Sequence, residues 1–123
     1  MLERTVLVVD DDPVILKLLQ VNFEIEGFRV LTAADGEEGV EMARAERPDV
    51  VISDIMMPKV NGLELLNRLK GDPQTERMPV VLLSAKAQEV DVQAGLDHGA
   101  DAYVTKPFDP IELVGRVNDL LAK

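Results

Sequence analysis

The chain has 123 residues, 46% hydrophobic and 29% charged, which suits one globular domain whose core folds without metal or disulfide staples. Lys plus Arg number 13 against 23 for Asp plus Glu, and the resulting net charge of −10 disfavours direct binding of nucleic acid or an anionic membrane. With no cysteine and a single histidine, His98, the chain is excluded from thiol chemistry, Cys-based metal sites and a His–His acid–base pair.

Met1-Leu2-Glu3-Arg4 puts an acid where a signal peptide would begin its apolar stretch. The longest apolar runs have four residues, whereas a membrane helix needs about 20. The expected location is therefore the cytoplasm. The first strand is predicted over Val6-Leu7-Val8-Val9. Asp12 then Pro13 is an N-cap with Pro at the first helical position, and Val14, Ile15, Leu18, Leu19 and Phe23 follow at helical spacing until Gly27 closes the turn. Phe28-Arg29-Val30-Leu31-Thr32 alternates in part and carries an Arg, which suits an edge strand. A second helix is expected from Gly36 to Arg44, shut off by Pro48. Val50 to Ile52 reads as a buried strand, and Asn61-Gly62 opens a helix bearing Leu63, Leu65, Leu66 and Leu69 that stops at Gly71. Gly71-Asp72-Pro73-Gln74 is a loop before the strand Val80 to Leu83. A helix is expected over Gln88 to His98 with Gly99 behind it, then the weaker strand Ala102-Tyr103-Val104. Asp109-Pro110 repeats the cap-plus-Pro signal and opens a last helix with Ile111, Leu113, Val114, Val117, Leu120 and Leu121.

Most of these strands are continuously apolar rather than alternating, the pattern of a sheet covered on both faces. Strand then helix, five times over, predicts an α/β domain with a parallel sheet between helices. Ligand sites in such sheets lie beyond the carboxyl ends of the strands. Those ends are polar here: Asp10-Asp11-Asp12, Ser53-Asp54, Ser84 and Thr105-Lys106-Pro107. Asp10, Asp11 and Asp54 in one place repel unless a cation joins them, and a few carboxylates with open positions suit Mg²⁺ shared with a phosphate. Their −3, the +1 of Lys106 and the +2 of the metal balance. Lys106 as a point charge and Ser84 as a hydroxyl donor both suit phosphoryl oxygens. Read singly, each has a plainer explanation: strand-end acids cap helices, an ammonium neutralises them, and a Ser bonds its own backbone. Asp12 before Pro13 fits the capping reading, and a cis Lys106-Pro107 bond fits a tight turn that aims a side chain.

Other motifs are absent or weak. No Gly-rich phosphate loop follows the first strand, and Asp10-Asp11-Asp12 lacks the later Gly and Glu of a calcium loop. His98 reads as a surface residue at a helix end. Met56-Met57 reads as loop or core filling.

Taken together, Val6 to Asp12, Asp54-Ile55-Met56-Met57-Pro58, Asn61-Gly62, Leu83-Ser84-Ala85 and Lys106-Pro107-Phe108 resemble the receiver domain of bacterial two-component response regulators. The likeness runs over 1–123, in order and spacing, as a single receiver domain with no output domain in the chain. It implies a flavodoxin-like, doubly wound, five-stranded parallel sheet of order 2-1-3-4-5 with five flanking helices. It also implies that Asp54 is the phosphoacceptor, taking a phosphoryl group from a histidine kinase or a histidine phosphotransfer protein. Asp11, Asp54 and the Met56 carbonyl would hold Mg²⁺ directly, and Asp10 through water. Lys106 would bind the phosphoryl group, Ser84 would be the switch hydroxyl and Tyr103 the rotating aromatic. Met56 and Lys86 would flank the approach of hydrolytic water. The response would alter the face made by the helix over Gln88 to His98, the strand Ala102 to Val104 and the last helix, controlling a downstream protein or output domain. Asp101 and Arg116 match the charged dimer face of winged-helix members, whereas Val92 and Ala102 depart from it. The expected state is a monomer with a phosphorylation-dependent dimer as an option.

Two other functions compete. A degenerate receiver would act only as an interaction module, yet no acid, Ser or Lys of the set is missing. A Mg²⁺-dependent phosphohydrolase would use Asp54 as nucleophile, yet Met56 occupies the position two residues on where such enzymes usually carry an acid. On the leading reading the chain is not an enzyme beyond catalysing its own phosphorylation and dephosphorylation.

Overall fold

The computed structural model describes residues 3–57, 59–84 and 99–122. Five parallel strands, β1 (Thr5–Val9), β2 (Arg29–Ala33), β3 (Val50–Asp54), β4 (Val80–Ser84) and β5 (Ala102–Thr105), form one sheet in the order β2-β1-β3-β4-β5. The helices among the described residues are α1 (Pro13–Ile25), α2 (Gly36–Glu46), α3 (Gly62–Lys70) and α4 (Pro110–Leu121). The expected helix over Gln88 to His98 lies outside them, so the count of five helices stands at four here. With it fall Ala85, Lys86, Val92 and His98, as does Pro58 from the loop after Asp54.

Each helix begins where the sequence supplies a cap. The side chains of Asp12, Asp35, Asn61 and Asp109 accept backbone N–H groups of Val14, Glu38, Glu64 and Ile111, satisfying donors that have no intrahelical partner. Boundaries move slightly from expectation. α2 runs on to Glu46 and ends at Arg47, whose φ of 47° is left-handed, before Pro48 blocks continuation. β2 starts at Arg29 rather than Phe28, and the Phe28 ring instead packs edge-on against Phe23 at 5.1 Å between centroids.

The continuous apolar runs have their expected cause. Leu7, Val9, Val51, Val80 and Leu82 face a core shared with Val40, Leu65, Leu66 and Leu69 of α2 and α3. Val6, Val8, Val50, Ile52, Val81 and Leu83 face a second core with Leu19, Phe23, Leu113 and Val117 of α1 and α4. Full burial of each such side chain contributes about 1.5–3 kcal/mol, so the sheet is held from both sides. β2 is an edge strand, with Arg29 exposed and Val30 to Thr32 only half-buried. Strand registers bring the carboxyl ends level: Val9 pairs with Ala33 and Ser53, Asp54 with Leu83, and Ser84 with Thr105. Every polar residue singled out at a strand end thus emerges on one rim.

Candidate functional site

Asp10 follows β1 and is wholly buried, while the adjoining Asp11 is exposed. The Asp10 N–H donates to the Ala33 carbonyl at 3.1 Å, extending the sheet by one rung, and its Oδ1 accepts the Asp12 N–H at 2.9 Å. Asp54 closes β3 at 6% exposure. Its backbone is crowded by the start of α3: the Gly62 N–H donates to the Ile55 carbonyl at 3.0 Å, and a Cβ at position 62 would overlap the Asp54 carbonyl and stand 2.8 Å from the Ile55 Cα. Only glycine permits that approach. One oxygen from each of Asp10, Asp11 and Asp54 can be chosen so that all three lie within 4.8 Å of one another.

Lys106 completes the group. Its backbone N–H donates to the Ser84 carbonyl at 2.8 Å, and the Lys106-Pro107 peptide bond is cis, as expected. The ammonium donates to Asp10 Oδ2 at 3.1 Å and stands 3.5 Å from Asp54 Oδ2. Burial by itself lowers the Lys106 pKa, but the hydrogen bond it donates to Asp10 and the charges of Asp10 and Asp54 outweigh it and hold the ammonium above its ordinary value. Burial pushes the Asp54 carboxyl up, and the Asp10 carboxylate adds to the rise. Lys106 and a hydrogen bond from the Met56 backbone pull it down without cancelling. Among the described residues the site is a cluster of mutually repelling carboxylates with one internal cation, open on the side of exposed Asp11.

The remaining expected residues are distributed around this centre. Ser84 ends β4, buried, one strand from Asp54. Tyr103 is buried on β5 and lines a cavity of about 280 Å³ with Thr105, Phe108, Glu112 and Arg116. Met56 is 61% exposed beside the acids, and Met57 packs against the core, dividing the Met pair between loop and core. Asp101, expected on a charged dimer face, is engaged within the chain: its Oδ2 accepts the Val80 N–H at 2.8 Å and Lys70 Nζ at 3.4 Å. Together with Lys106, the apolar residues Ile15, Leu18, Pro107 and Phe108 line a cavity of about 360 Å³.

Sequence reasoning missed two partners of the site. Ser53, wholly buried, turns its hydroxyl back to donate to the Asp54 carbonyl at 2.9 Å. Asp35 pairs with Lys59 across two loops at 3.6 Å. The Asp35-Gly36 dipeptide was the available signal for the second, but it reads as a helix start and nothing local reveals what it touches.

The model of the response regulator receiver domain matches residues 6–118. The chain belongs to the response regulator receiver family. This receiver is 43% identical to the alkaline phosphatase synthesis transcriptional regulatory protein PhoP of Bacillus subtilis, over 99% of the chain and 50% of that protein. It is 42% identical to the DNA-binding dual master transcriptional regulator RpaA of Synechocystis, over 96% of the chain and 49% of that protein. The receiver therefore spans about half the length of these curated relatives. Among solved structures it superposes on the Francisella response regulator 1452 receiver domain with a TM-score of 0.91 at 38% identity, covering 98% of both chains. With the Vibrio cholerae chemotaxis protein CheY4 the TM-score is 0.90 at 31% identity, covering 96% of this receiver and 98% of that chain. Family and fold agree with the resemblance, and the chain is a receiver-type signalling domain, a phosphorylatable switch. No helix among the described residues is long and apolar enough to cross a membrane.

Proposed function

We propose that this receiver switches by accepting a phosphoryl group on Asp54 from a histidine kinase or a histidine phosphotransfer protein. The observation that carries the reading is the Lys106 ammonium held between Asp10 and Asp54 in a three-carboxylate cluster. A carboxylate oxygen of Asp54 attacks phosphorus, the bond from phosphorus to the donor breaks, and an acyl phosphate forms. Lys106 stands where it can neutralise oxygens of the transferring group, moving its attraction from the carboxylate to the phosphoryl. Asp10, fixed by the Asp12 N–H, keeps Lys106 aimed when Asp54 changes charge.

The donor set suits Mg²⁺: all oxygen, clustered within 4.8 Å, and short of neutrality by two charges once Lys106 is counted. Asp11, Asp54 and the Met56 carbonyl would hold the ion, with Asp10 joined through water. When bound it stabilises charge on the transferring oxygens. The rim of Ile15, Leu18, Pro107 and Phe108 adjoins Lys106, so a protein donor presenting its phosphoryl group to Asp54 rests against it. Ser84 then gains a phosphoryl acceptor, Tyr103 reorients, and the surface of β5, α4 and the segment before β5 changes affinity for a downstream protein or output domain. Dephosphorylation is gated by Met56 and Lys86. Residues 1–123 form a single receiver domain on this reading, cytoplasmic, with Mg²⁺ as cofactor, no direct contact to nucleic acid, and monomeric, with a phosphorylation-dependent dimer as an option.

Acetyl phosphate with Mg²⁺, read by intact mass, tests this. One added phosphoryl group that is lost in Asp54→Ala and in the presence of chelator is the expected result. Label that survives in Asp54→Ala refutes the assignment, and rapid release of inorganic phosphate with no accumulated phosphoryl-protein would favour a phosphohydrolase.

A further inference from the structure

Two connections meet beside the acid cluster. The turn after β2 ends in Asp35 and Gly36, where α2 begins. The loop after β3 carries Ile55, Met56, Met57, Lys59 and Val60. Gly36 is buried against the main chain of Val60: a Cβ on Gly36 would stand 2.7 Å from the Val60 carbonyl carbon and overlap its oxygen. Alongside, Lys59 Nζ lies 3.6 Å from Asp35 Oδ2. Lys59 has φ of 64°, a left-handed backbone conformation. The other Asp35 oxygen accepts the Glu38 N–H at 2.9 Å, and that bond, reinforced by Lys59, keeps the carboxyl below its ordinary value against the opposing effect of desolvation.

The loop is thus gripped at three points: Val60 in the core, Gly36 on its main chain, Lys59 on Asp35. The grip bears on the acid cluster from both directions. Upstream, the Met56 backbone lies close enough to the Asp54 carboxylate to favour its charged form. On the facing strand, the Ala33 carbonyl, two residues before Asp35, holds the Asp10 N–H. The two connections therefore border the main chain of Asp10 and the main chain that follows Asp54.

We propose that Asp35-Gly36 and Lys59 form a clasp that positions the Met56 main chain for cation binding at Asp10, Asp11 and Asp54. The clasp rests on the Mg²⁺ reading above. Gly36, Asp35 and Lys59 are positioning residues: they act through the loop, not on the ion. A Cβ at position 36 moves the Val60 carbonyl and, with it, the chain back to Met56. Loss of the Lys59 charge frees the same loop at its exposed corner.

The test is a Mg²⁺ titration of the phosphate-free protein, followed by calorimetry and by the amide shifts of Ile55, Met56 and Met57. Gly36→Ala is expected to weaken Mg²⁺ binding by about 10–100-fold, the range seen when supports of a metal site are removed. Lys59→Asn, which tolerates the left-handed backbone, is expected to weaken it by about two- to fivefold, and Lys59→Arg to restore it. The sign is diagnostic. Removing a cation from a chain of net charge −10 by itself draws a divalent cation more tightly, so weaker binding in Lys59→Asn reports position and not charge. Variants that unfold more readily in chelator yet bind Mg²⁺ like wild type while folded would overturn the clasp. If Gly36→Ala does not fold, the Lys59 pair decides alone. A wild-type protein without any Mg²⁺ response overturns the metal reading and the clasp with it, whereas normal wild-type binding matched by Lys59→Asn overturns only the clasp.

Discussion

Lys106→Met keeps the aliphatic stem of the side chain and removes the one cation that the described residues place inside the acid cluster. At an effective dielectric near 20, Coulomb's law gives about 5 kcal/mol of gross attraction for each of two unit charges at 3.1 and 3.5 Å. The desolvation of the ammonium offsets much of this, and removal of one partner from a buried pair typically costs about 3–5 kcal/mol. The Lys106 side chain keeps 20% exposure, which places the expected loss at the low end, about 3 kcal/mol. The loss has a definite pH dependence. Lys106 is held above its ordinary 10.5, so its contribution is complete below that pH and disappears only as the pH rises through its folded value. Asp54 is held above 3.8, so folding favours its protonated form, and stability falls as the pH rises from 3.8 through the folded value. Without Lys106 that carboxyl rises further, and in mild acid it takes up a proton that relieves the repulsion from Asp10. Urea unfolding in chelator should therefore show a deficit of about 3 kcal/mol at neutral pH that shrinks in acid. Added millimolar Mg²⁺ should narrow the neutral deficit, since a divalent charge replaces the missing one. A deficit below about 1 kcal/mol, the worth of an exposed pair, or one that does not change with pH, would refute the account of Lys106 as the cation that holds this cluster together.

Mg²⁺ should raise the thermal midpoint of the wild-type protein through preferential binding to the folded state, and Asp11→Asn should blunt that rise; an unchanged wild-type midpoint at saturating metal counts against the site. Ser84→Ala should leave acetyl-phosphate labelling of Asp54 intact while reducing the NMR shift changes around Tyr103, because it removes one hydrogen bond of about 0.5–1.5 kcal/mol from the phosphorylated state; full-size shifts in the mutant contradict the route. Met56→Asn should speed loss of the phosphoryl group from purified protein, since the exposed thioether cannot orient water as an amide does; an unchanged or slower decay removes Met56 from the gate.

What the sequence by itself determined is what depends on neighbours along the chain. Runs such as Val6 to Val9 and Val80 to Leu83, short and rich in β-branched residues, read as strands covered on both faces, and Asp12-Pro13, Asn61-Gly62 and Asp109-Pro110 start helices through caps that reach two or three residues ahead. From these the parallel sheet follows, and with it the prediction that Asp10, Asp54, Ser84 and Lys106 share a rim. Agreement of several short motifs with the receiver pattern then named the family from residues alone. Only the tertiary structure decided the pairings within the rim. That Lys106 lies nearer Asp10 than Asp54, that Asp54 and not Asp11 is desolvated, and that Asp101 is already engaged by Lys70 depend on strand register and loop path. The contact of Gly36 with Val60 is the extreme case: the two residues lie far apart in the chain, and their contact arises only because the β2–α2 turn and the β3–α3 loop leave the same end of the sheet. Local propensity acts over a few residues, while such distances are set by how whole elements pack.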